Sequence, residues 1–174
     1  MKSTDVYKIL RREIGPEFKR LGFRVAKGLL SYSLRLDNDF LVIWFQISHD
    51  GWDSFAGSKF TLEVQRSPEP ITGIVTKKRK RISSFCNESE LEQIRSLQNR
   101  IIRSLTKPPA NHPYLHIEPN VSKYYLSKFE RVDTPYTNMT DIWLRYSCEN
   151  DVKEWALLIN SMLPSIISQA RLWA

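Results

Sequence analysis

The residue types best suited to acid–base chemistry occur together in one short segment, His49-Asp50-Gly51-Trp52-Asp53. A histidine beside two carboxylates, on a loop that leaves a strand, could supply both the acid and the base of a hydrolase. Asp-Gly and its polar neighbours are equally typical of an ordinary turn. His49, Asp50 and Asp53 are therefore candidate catalytic residues, with a simple turn as the alternative.

A second group has the residue types that bind metals. His112 and His116 are separated by three residues, and Glu118 follows them. A helix would place both imidazoles on one face, but Pro113 lies between them and Pro119 follows, which opposes a helix. Zinc sites usually need three or four protein ligands in compatible geometry. We therefore expect two loop histidines and no metal site. With no glycine-rich phosphate loop in the sequence, we also expect no cofactor.

The third group is a concentration of positive charge between residues 77 and 107. This segment holds nine Lys or Arg against three Glu, and it accounts for six of the seven net positive charges of the chain. Its candidate anion-binding or partner-binding residues are Lys77, Lys78, Arg79, Lys80, Arg81, Arg100, Arg103 and Lys107. The spacing of the last three predicts that they lie together on the polar face of a helix.

Three interpretations of the basic segment stay open. In the first it is a solvated surface that needs no partner. In the second it contacts nucleic-acid phosphates without sequence specificity, although its basic run has no interleaved aromatic residues on which bases could stack. In the third it steers an acidic protein partner toward the chain.

The spacing of apolar residues predicts the elements that must position these groups. Spacings of three and four predict a helix over 4–21, capped by Ser3 or Thr4 and kinked or broken at Gly15-Pro16. Strict alternation predicts half-buried strands, whereas a run that is apolar on both faces predicts a central strand. The predicted strands are 30–36, 41–47, 60–65 and 142–146, of which 41–47 is the central one.

Three further helices are predicted in the second half of the chain. The middle helix begins near Asn87 or Ser89, its apolar pattern continues to Leu105, and Pro108-Pro109 ends it. A short helix covers 121–129. The C-terminal helix has Asn150 or Asp151 as its N-cap, and its apolar pattern continues through Pro164. That continuity indicates either one kinked helix or two abutting helices.

The order of these elements predicts an α+β fold with an antiparallel sheet of about four or five strands. N-terminal, middle and C-terminal helices pack on that sheet, because the strand–helix–strand rhythm of a parallel fold is missing. With 174 residues and no linker of domain-separating composition, the chain is expected to form one domain, residues 1–174. The basic loop and helix at 77–107 belong to it.

Composition also indicates where the protein works. The N-terminal residues become charged without an apolar region, which predicts that no secretory signal is present. The longest apolar run, 40–45, is far too short to cross a membrane. Cys86 and Cys148 lack CxxC spacing and are expected to be reduced thiols, since a chain of this size needs no disulfide. We therefore expect a cytoplasmic protein.

Several segments resemble a known bacterial family. They are Leu21-Gly22-Phe23-Arg24, Phe45-Gln46, the run 141–146 (DIWLRY), and the helix start Asp151-Val152-x-Glu154-Trp155. Together they resemble the domain-of-unknown-function 4304 family over about residues 6–167. The resemblance implies a small cytosolic bacterial α+β domain. That family has no established activity and no catalytic residues to carry over. Members of such small families sometimes occur as immunity or partner proteins beside toxins.

The sequence as a whole favours a non-enzymatic binding protein, immunity-like or regulatory, with an acidic protein as its partner. The first alternative is sequence-independent binding of nucleic acid through residues 77–107. The second is a hydrolase that uses the loop 49–53. These alternatives differ in which side chains must be free to meet a ligand, and that depends on the fold.

Overall fold

The computed structural model describes residues 1–26, 30–72, 79–137 and 139–173. Within these ranges the chain forms four α-helices and six strands. In chain order they are α1 (Ser3–Arg20), β1 (Arg24–Val25), β2 (Ser31–Arg35), β3 (Phe40–Ile47), β4 (Ser58–Ser67), β5 (Arg79–Arg81), α2 (Glu88–Ser104), α3 (Pro119–Ser127), β6 (Leu144–Tyr146) and α4 (Glu149–Leu172). None of the described helices combines the length and the apolar character needed to span a bilayer.

The strands form one antiparallel sheet in the order β1-β2-β3-β4-β5. Strand β4 is ten residues long and pairs with three other strands. It pairs with all of β3, with β5 near Glu63, and with β6 near Ser58. The predicted α+β class is therefore confirmed, with two short strands, β1 and β5, added at the sheet edges. Periodicity missed them because strands of two and three residues are too short to show alternation.

One face of the sheet belongs to the main core. Alternate residues of β3 and β4, such as Ile43, Phe45 and Leu62, are at most 1% exposed and share a single apolar cluster with Leu10 of α1 and Trp155 of α4. Burying apolar area on this scale is the main source of stability for a domain of this size. The prediction that β3 is covered on both sides is confirmed, since its opposite-facing Trp44 is also buried.

The second face of the sheet is buried but polar. On this face Trp44 of β3 lies opposite Glu63 of β4, and Val42 of β3 lies opposite Gln65 of β4. Glu63 is 2% exposed, and Gln65 is fully buried. A buried carboxylate needs a charged or hydrogen-bonding partner, so this face constrains what must pack beside β4.

The helix starts are decided by side chains that accept backbone hydrogen bonds. Asn87 accepts from the Glu90 amide at 2.9 Å, and Glu90 accepts from the Asn87 amide at 2.8 Å, which confirms the predicted start of α2. The predicted caps of α4 are wrong: its N-cap is Cys148, because Asp151 acts from inside the first turn. The Asp151 carboxylate accepts from the Ser147 amide at 2.6 Å and from the Cys148 amide at 3.2 Å.

The start of α1 differs from its prediction in the same way. Its N-cap is Lys2, not Ser3 or Thr4, and the Lys2 amide donates to the Asp5 carboxylate at 3.1 Å. The acidic side chain at the third helical position thus accepts from the N-cap amide, which is the reciprocal hydrogen bond of a capping box.

The two described helices with an internal proline, α1 and α4, continue through it. The structure has α1 as one helix through Pro16 and α4 as one helix through Pro164, so a broken α1 and a divided α4 are wrong. A proline removes one backbone hydrogen bond, and the burial of neighbouring apolar residues offsets that loss. Asn160 of α4 donates to the Glu13 carbonyl of α1 at 2.9 Å, which joins the two helices beside Pro16.

The loop between β3 and β4 gives a first test of the fold. Gly57 has a φ of +64°, and a Cβ there would lie 2.1 Å from the Tyr146 carbonyl oxygen of β6. We expect Gly57→Ala to lower the free energy of unfolding by about 3 kcal/mol, because left-handed strain adds to a backbone clash. Urea unfolding followed by circular dichroism measures this loss.

Gly51→Ala is the matched control for this prediction. Gly51 also has a positive φ, +76°, but apart from its chain neighbours no described residue has an atom within 4 Å of the Cβ position. The strain alone costs about 1 kcal/mol. Equal losses in the two variants would contradict the close approach of Gly57 to β6.

Candidate functional site

Two cations of the predicted basic run, Arg79 and Arg81, form ion pairs inside the sheet. The register places Arg81 opposite Glu63, and Arg79 opposite Gln65. Arg81 Nη1 lies 2.6 Å from one Glu63 carboxylate oxygen, and Arg79 Nε pairs with the other. Arg81 Nε also lies 3.1 Å from Asp141. The buried carboxylate is thus held between two guanidinium groups, and these arginines bind β5 to β4.

Aromatic rings hold the same arginines from the side. The Arg79 guanidinium lies 4.9 Å from the centroid of the Trp44 ring, and that of Arg81 lies 5.0 Å from the Trp143 ring. Such contacts favour a cation over the ring face. Burial, together with the positive charge of Arg81, lowers the pKa of Arg79. Lys80 points to the other side of β5, 5.1 Å from the Trp173 ring centroid. Lys77 and Lys78 lie outside the described residues.

The basic face of α2 borders a large cavity. About 690 Å³ of space lies between α2 and α4, and we call it the arginine groove. Its charged lining residues are Glu92, Arg95, Arg100, Arg103, Arg131 and Glu154, and its apolar ones are Leu97, Leu157 and Leu158. Four arginines against two glutamates leave this groove positively charged. Its apolar residues include Leu157, whose side chain is 64% exposed.

The four arginines of the groove differ in their partners. Arg95 donates to both carboxylate oxygens of Glu92, at 2.7 and 2.6 Å, and Arg100 pairs with Glu154 of α4. Among the described residues, neither Arg103 nor Arg131 forms an ion pair. The free positive charge of the groove therefore lies on these two side chains.

A buried amide of α2 fixes the position of Arg131. Asn99 donates to the Val132 carbonyl and accepts from the Val132 amide, both at 2.8 Å. This pair of hydrogen bonds holds the backbone beside Arg131 against α2. The sequence analysis missed Arg131 because it is 28 positions beyond Arg103 and far outside the basic segment. The amides of Gln98 and Asn99, which are polar residues within the apolar pattern of α2, could have signalled that a distant segment of the chain packs there.

Lys107 does not join the groove. The helix α2 ends at Ser104, and Leu105 takes an extended conformation with ψ of 137°. Because Lys107 lies beyond the helix, the prediction that it shares a helix face with Arg100 and Arg103 is wrong. Of the three, the structure brings Arg100 and Arg103 together, and it leaves Lys107 exposed away from the lining.

The two carboxylates of the loop 49–53 face the tyrosines of α3. The Tyr124 hydroxyl donates to Asp50 at 2.9 Å, and the Tyr125 hydroxyl donates to Asp53 at 3.0 Å. Asp53 also accepts from the amides of Phe55 and Ala56, at 2.8 and 2.7 Å. Asp53 therefore stabilises the turn that follows it, through hydrogen bonds to the backbone.

The pKa values of both carboxyls reflect these contacts. Burial alone would raise the pKa of Asp53, but the amides of Ala56 and Phe55 and the Tyr125 hydroxyl bring it below its ordinary value. Burial would also raise the pKa of Asp50, but hydrogen bonds with Tyr124 and Ser48 and the charge of Lys59 outweigh it, so this pKa is lowered as well. A general acid needs a raised pKa, so these groups are poorly suited to that role.

His49 lies at the surface, at the start of the same loop. It is exposed and borders a cavity of about 520 Å³ beside the N-terminal residues of α1. In the part of the chain that the structure describes, it makes no hydrogen bond with Asp50 or Asp53. The three candidate catalytic residues of the loop are therefore neighbours in the sequence, but no described hydrogen bond connects the side chain of His49 with either carboxylate.

His112 and the two cysteines, Cys86 and Cys148, are further side chains with possible metal-binding or nucleophilic chemistry. His112 stacks on the Tyr125 ring at a centroid distance of 5.4 Å, and the described residues contain no group of three metal-binding side chains. Both Cys86 and Cys148 are free thiols. Burial and the neighbouring Glu90 raise the pKa of the Cys86 thiol to about 12, so it is protonated at neutral pH and unsuited to nucleophilic attack.

Comparisons with known proteins do not assign this arrangement to a family. The chain matches no protein-family model, no curated protein and no solved structure. The resemblance to the domain-of-unknown-function 4304 family therefore stays a prediction.

The buried ion pairs of β5 generate one prediction. We expect Glu63→Gln to lower the free energy of unfolding by about 3 kcal/mol at pH 7, because it removes the buried carboxylate that Arg79 and Arg81 share and leaves Arg81 with Asp141 alone. The midpoint of urea unfolding measures the effect. The control is Glu17→Gln, which removes an exposed pair with Arg20 and should leave the midpoint unchanged. Equal midpoints for the two variants would contradict the pairing at Glu63.

A second prediction concerns Asp53 and pH. Because its folded-state pKa is lowered, the ionised carboxyl stabilises the protein above its ordinary pKa of 3.8, and this contribution is lost as the pH falls through the folded-state value. We expect Asp53→Asn to cost about 1 kcal/mol at pH 7, and the cost to shrink below pH 3.8. Unfolding curves from pH 7 to pH 3 measure both.

The control for Asp53 is Asp37→Asn, a change on the exposed turn before β3. This variant should follow the parent protein at every pH. A cost of Asp53→Asn that stays constant down to the lowest pH would show that the charge of Asp53 contributes nothing.

Proposed function

We propose that this protein is a non-enzymatic binding protein that holds an acidic segment of a protein partner in the arginine groove. The single observation that carries the proposal is the pair Arg103 and Arg131. Both lie in a cavity of about 690 Å³ and lack an ion pair among the described residues, and exposed Leu157 lies beside them.

The chemistry of these side chains suits a carboxylate. A guanidinium group binds a carboxylate through two parallel hydrogen bonds, which adds geometric specificity to charge attraction. Arg100 is already satisfied by Glu154 of the same groove, which illustrates the kind of contact that an incoming Asp or Glu would repeat at Arg103. An apolar residue of the partner would cover Leu157.

A protein partner is favoured over nucleic acid for two reasons. Arg79 and Arg81, in the middle of the basic run, are neutralised by Glu63 and Asp141, so they contribute little to a phosphate-binding surface. The described lining of the groove contains two glutamates and no aromatic side chain, whereas single-stranded nucleic acids are bound through basic grooves with stacking rings. Sequence-independent nucleic-acid binding through 77–107 remains the alternative that the test below must exclude.

A hydrolase that uses the loop 49–53 has less support. Asp50 and Asp53 accept hydrogen bonds from the tyrosines of α3. His49 lines the cavity of about 520 Å³ beside α1, and neither carboxylate belongs to that lining. The proposal of a cytoplasmic location rests on the sequence composition, and that of a bacterial, immunity-like or regulatory role rests on the sequence resemblance.

The proposal is tested by selecting binders from a displayed library of random ten-residue peptides on the full chain. We expect the enriched peptides to be rich in Asp and Glu and to contain a large apolar residue. For the best peptide, we expect Arg103→Ala and Arg131→Ala each to weaken binding about tenfold, because each removes one charge-assisted contact. Fluorescence anisotropy measures the dissociation constants.

Lys107→Ala is the matched control, because it removes one positive charge three residues beyond the end of α2, outside the groove. It should change the affinity little. Leu157→Ser should weaken binding as well, which a purely electrostatic site would not show. Enrichment of peptides without acidic residues, or equal affinities in all variants, would refute the proposal. So would tighter binding of a labelled single-stranded oligonucleotide that falls steeply with salt.

A further inference from the structure

A second cavity, which we call the edge pocket, lies between α1 and the β1–β2 edge of the sheet. It has a volume of about 480 Å³, within the usual range of about 300–1,000 Å³ for small-molecule sites. Its helix side consists of Arg11, Gly15 and Lys19, whose spacing of four places them on one stripe of α1. It shares no lining residue with the arginine groove.

The sheet side of the edge pocket is apolar. It includes Phe23, which is buried, and Val25 of β1, which is 75% exposed. Val25 pairs in register with Tyr32 of β2, so the two side chains lie on the same face of the sheet. The exposed side chain of Val25 and the ring of Tyr32 together offer an apolar wall to a ligand.

Tyr32 brings an unused hydrogen-bond donor to this wall. The side chain is 3% exposed and its ring stacks on Phe18 at a centroid distance of 4.2 Å, yet its hydroxyl has no hydrogen-bond partner among the residues that the structure describes. A Cβ on Gly15 would lie 3.3 Å from that hydroxyl, so the glycine makes room for it against the helix. Burial raises the pKa of Tyr32, against the charge of Arg11, so the hydroxyl stays protonated at neutral pH.

Three cations line the same pocket. Arg11, Lys19 and Arg24 are exposed residues of the lining, and none of them forms an ion pair within the described residues. The glutamates of α1 are paired elsewhere, Glu13 with Arg12 and Glu17 with Arg20. Within the described part of the chain, the lining contains no acidic residue. Its positive potential is therefore not cancelled locally.

We propose that the edge pocket binds a small amphipathic anion, an organic carboxylate with an apolar body. The body packs against Phe23, Val25 and the ring of Tyr32. The carboxylate accepts hydrogen bonds from the Tyr32 hydroxyl and from Arg11, within the positive field of Lys19 and Arg24. The inference is independent of the arginine groove and its acidic partner.

Other occupants match these features less well. A bare inorganic anion would leave the apolar wall uncovered. A neutral apolar molecule would leave the three cations and the buried hydroxyl unsatisfied, and an unpaired buried hydroxyl is costly. A partner strand added to β1 would pair with the backbone of the sheet edge, but it would not explain the donor at the base of the pocket.

The proposal is tested by nuclear magnetic resonance titration of the ¹⁵N-labelled full chain with octanoate, 1-octanol and acetate. We expect octanoate to bind with a dissociation constant of about 1 mM or tighter, and to shift the amide signals of Gly15, Val25 and Tyr32. Octanol lacks the charge and acetate lacks the apolar body. We therefore expect each of them to bind at least about tenfold more weakly.

Matched variants assign the binding to the pocket. Arg11→Ala and Tyr32→Phe should each weaken octanoate binding about tenfold, since each removes a hydrogen bond to the charged group. Arg12→Ala is the control, because Arg12 is the next residue of α1 and is bonded to Glu13 at 2.8 Å. It should leave the affinity unchanged. The thermal midpoint of the free Tyr32→Phe protein should stay the same or rise, because the hydroxyl has no partner to lose.

Four results would overturn the proposal. They are the absence of octanoate binding, equal affinities for octanoate and octanol, unchanged binding in Arg11→Ala, and signal shifts confined to residues outside the pocket. A lower thermal midpoint in Tyr32→Phe would also count against it, since the hydroxyl would then have a partner within the chain.

Discussion

The burial of Glu63 is the constraint on which the sheet depends. A carboxylate that is 2% exposed in the middle of β4 is stable only if cations reach it. Arg79 and Arg81 do so from β5, and Asp141 then approaches Arg81 from the segment that leads into β6. One buried charge therefore determines why a strongly basic run forms an edge strand. It also brings two distant parts of the chain to the same face of the sheet.

A comparable role belongs to two buried amides of α2. Asn99 holds the backbone at Val132 through two hydrogen bonds, and Gln98 holds β6 in the same way, through the Trp143 carbonyl at 3.1 Å and the Arg145 amide at 2.9 Å. Buried amides are stable only when satisfied, so this pair fixes the proline-rich segment between α2 and β6. The arginine groove exists because that segment delivers Arg131 beside α2 and α4.

The positive charge of the chain is divided by these contacts into three parts. Some cations neutralise carboxylates of the scaffold, as at Glu63. Others, such as Arg103 and Arg131, border a mixed polar and apolar groove that suits an acidic protein segment. A third set borders a smaller apolar pocket with a buried hydroxyl at Tyr32. Net charge alone does not distinguish these parts, because the distinction depends on which carboxylate each cation meets and on how much apolar surface lies beside it.

The sequence by itself determined the α+β class, the strands β2, β3 and β4, the start of α2 at Asn87, and the location of the basic segment. These follow from local periodicity and from side chains that bond to their own backbone neighbours. It did not determine which cations are free. The partner of Arg100 lies 54 positions away, and the carbonyl that Asn99 binds lies 33 positions away. Only the tertiary structure decides such contacts, because whether a charge is neutralised depends on groups that folding brings together from distant parts of the chain.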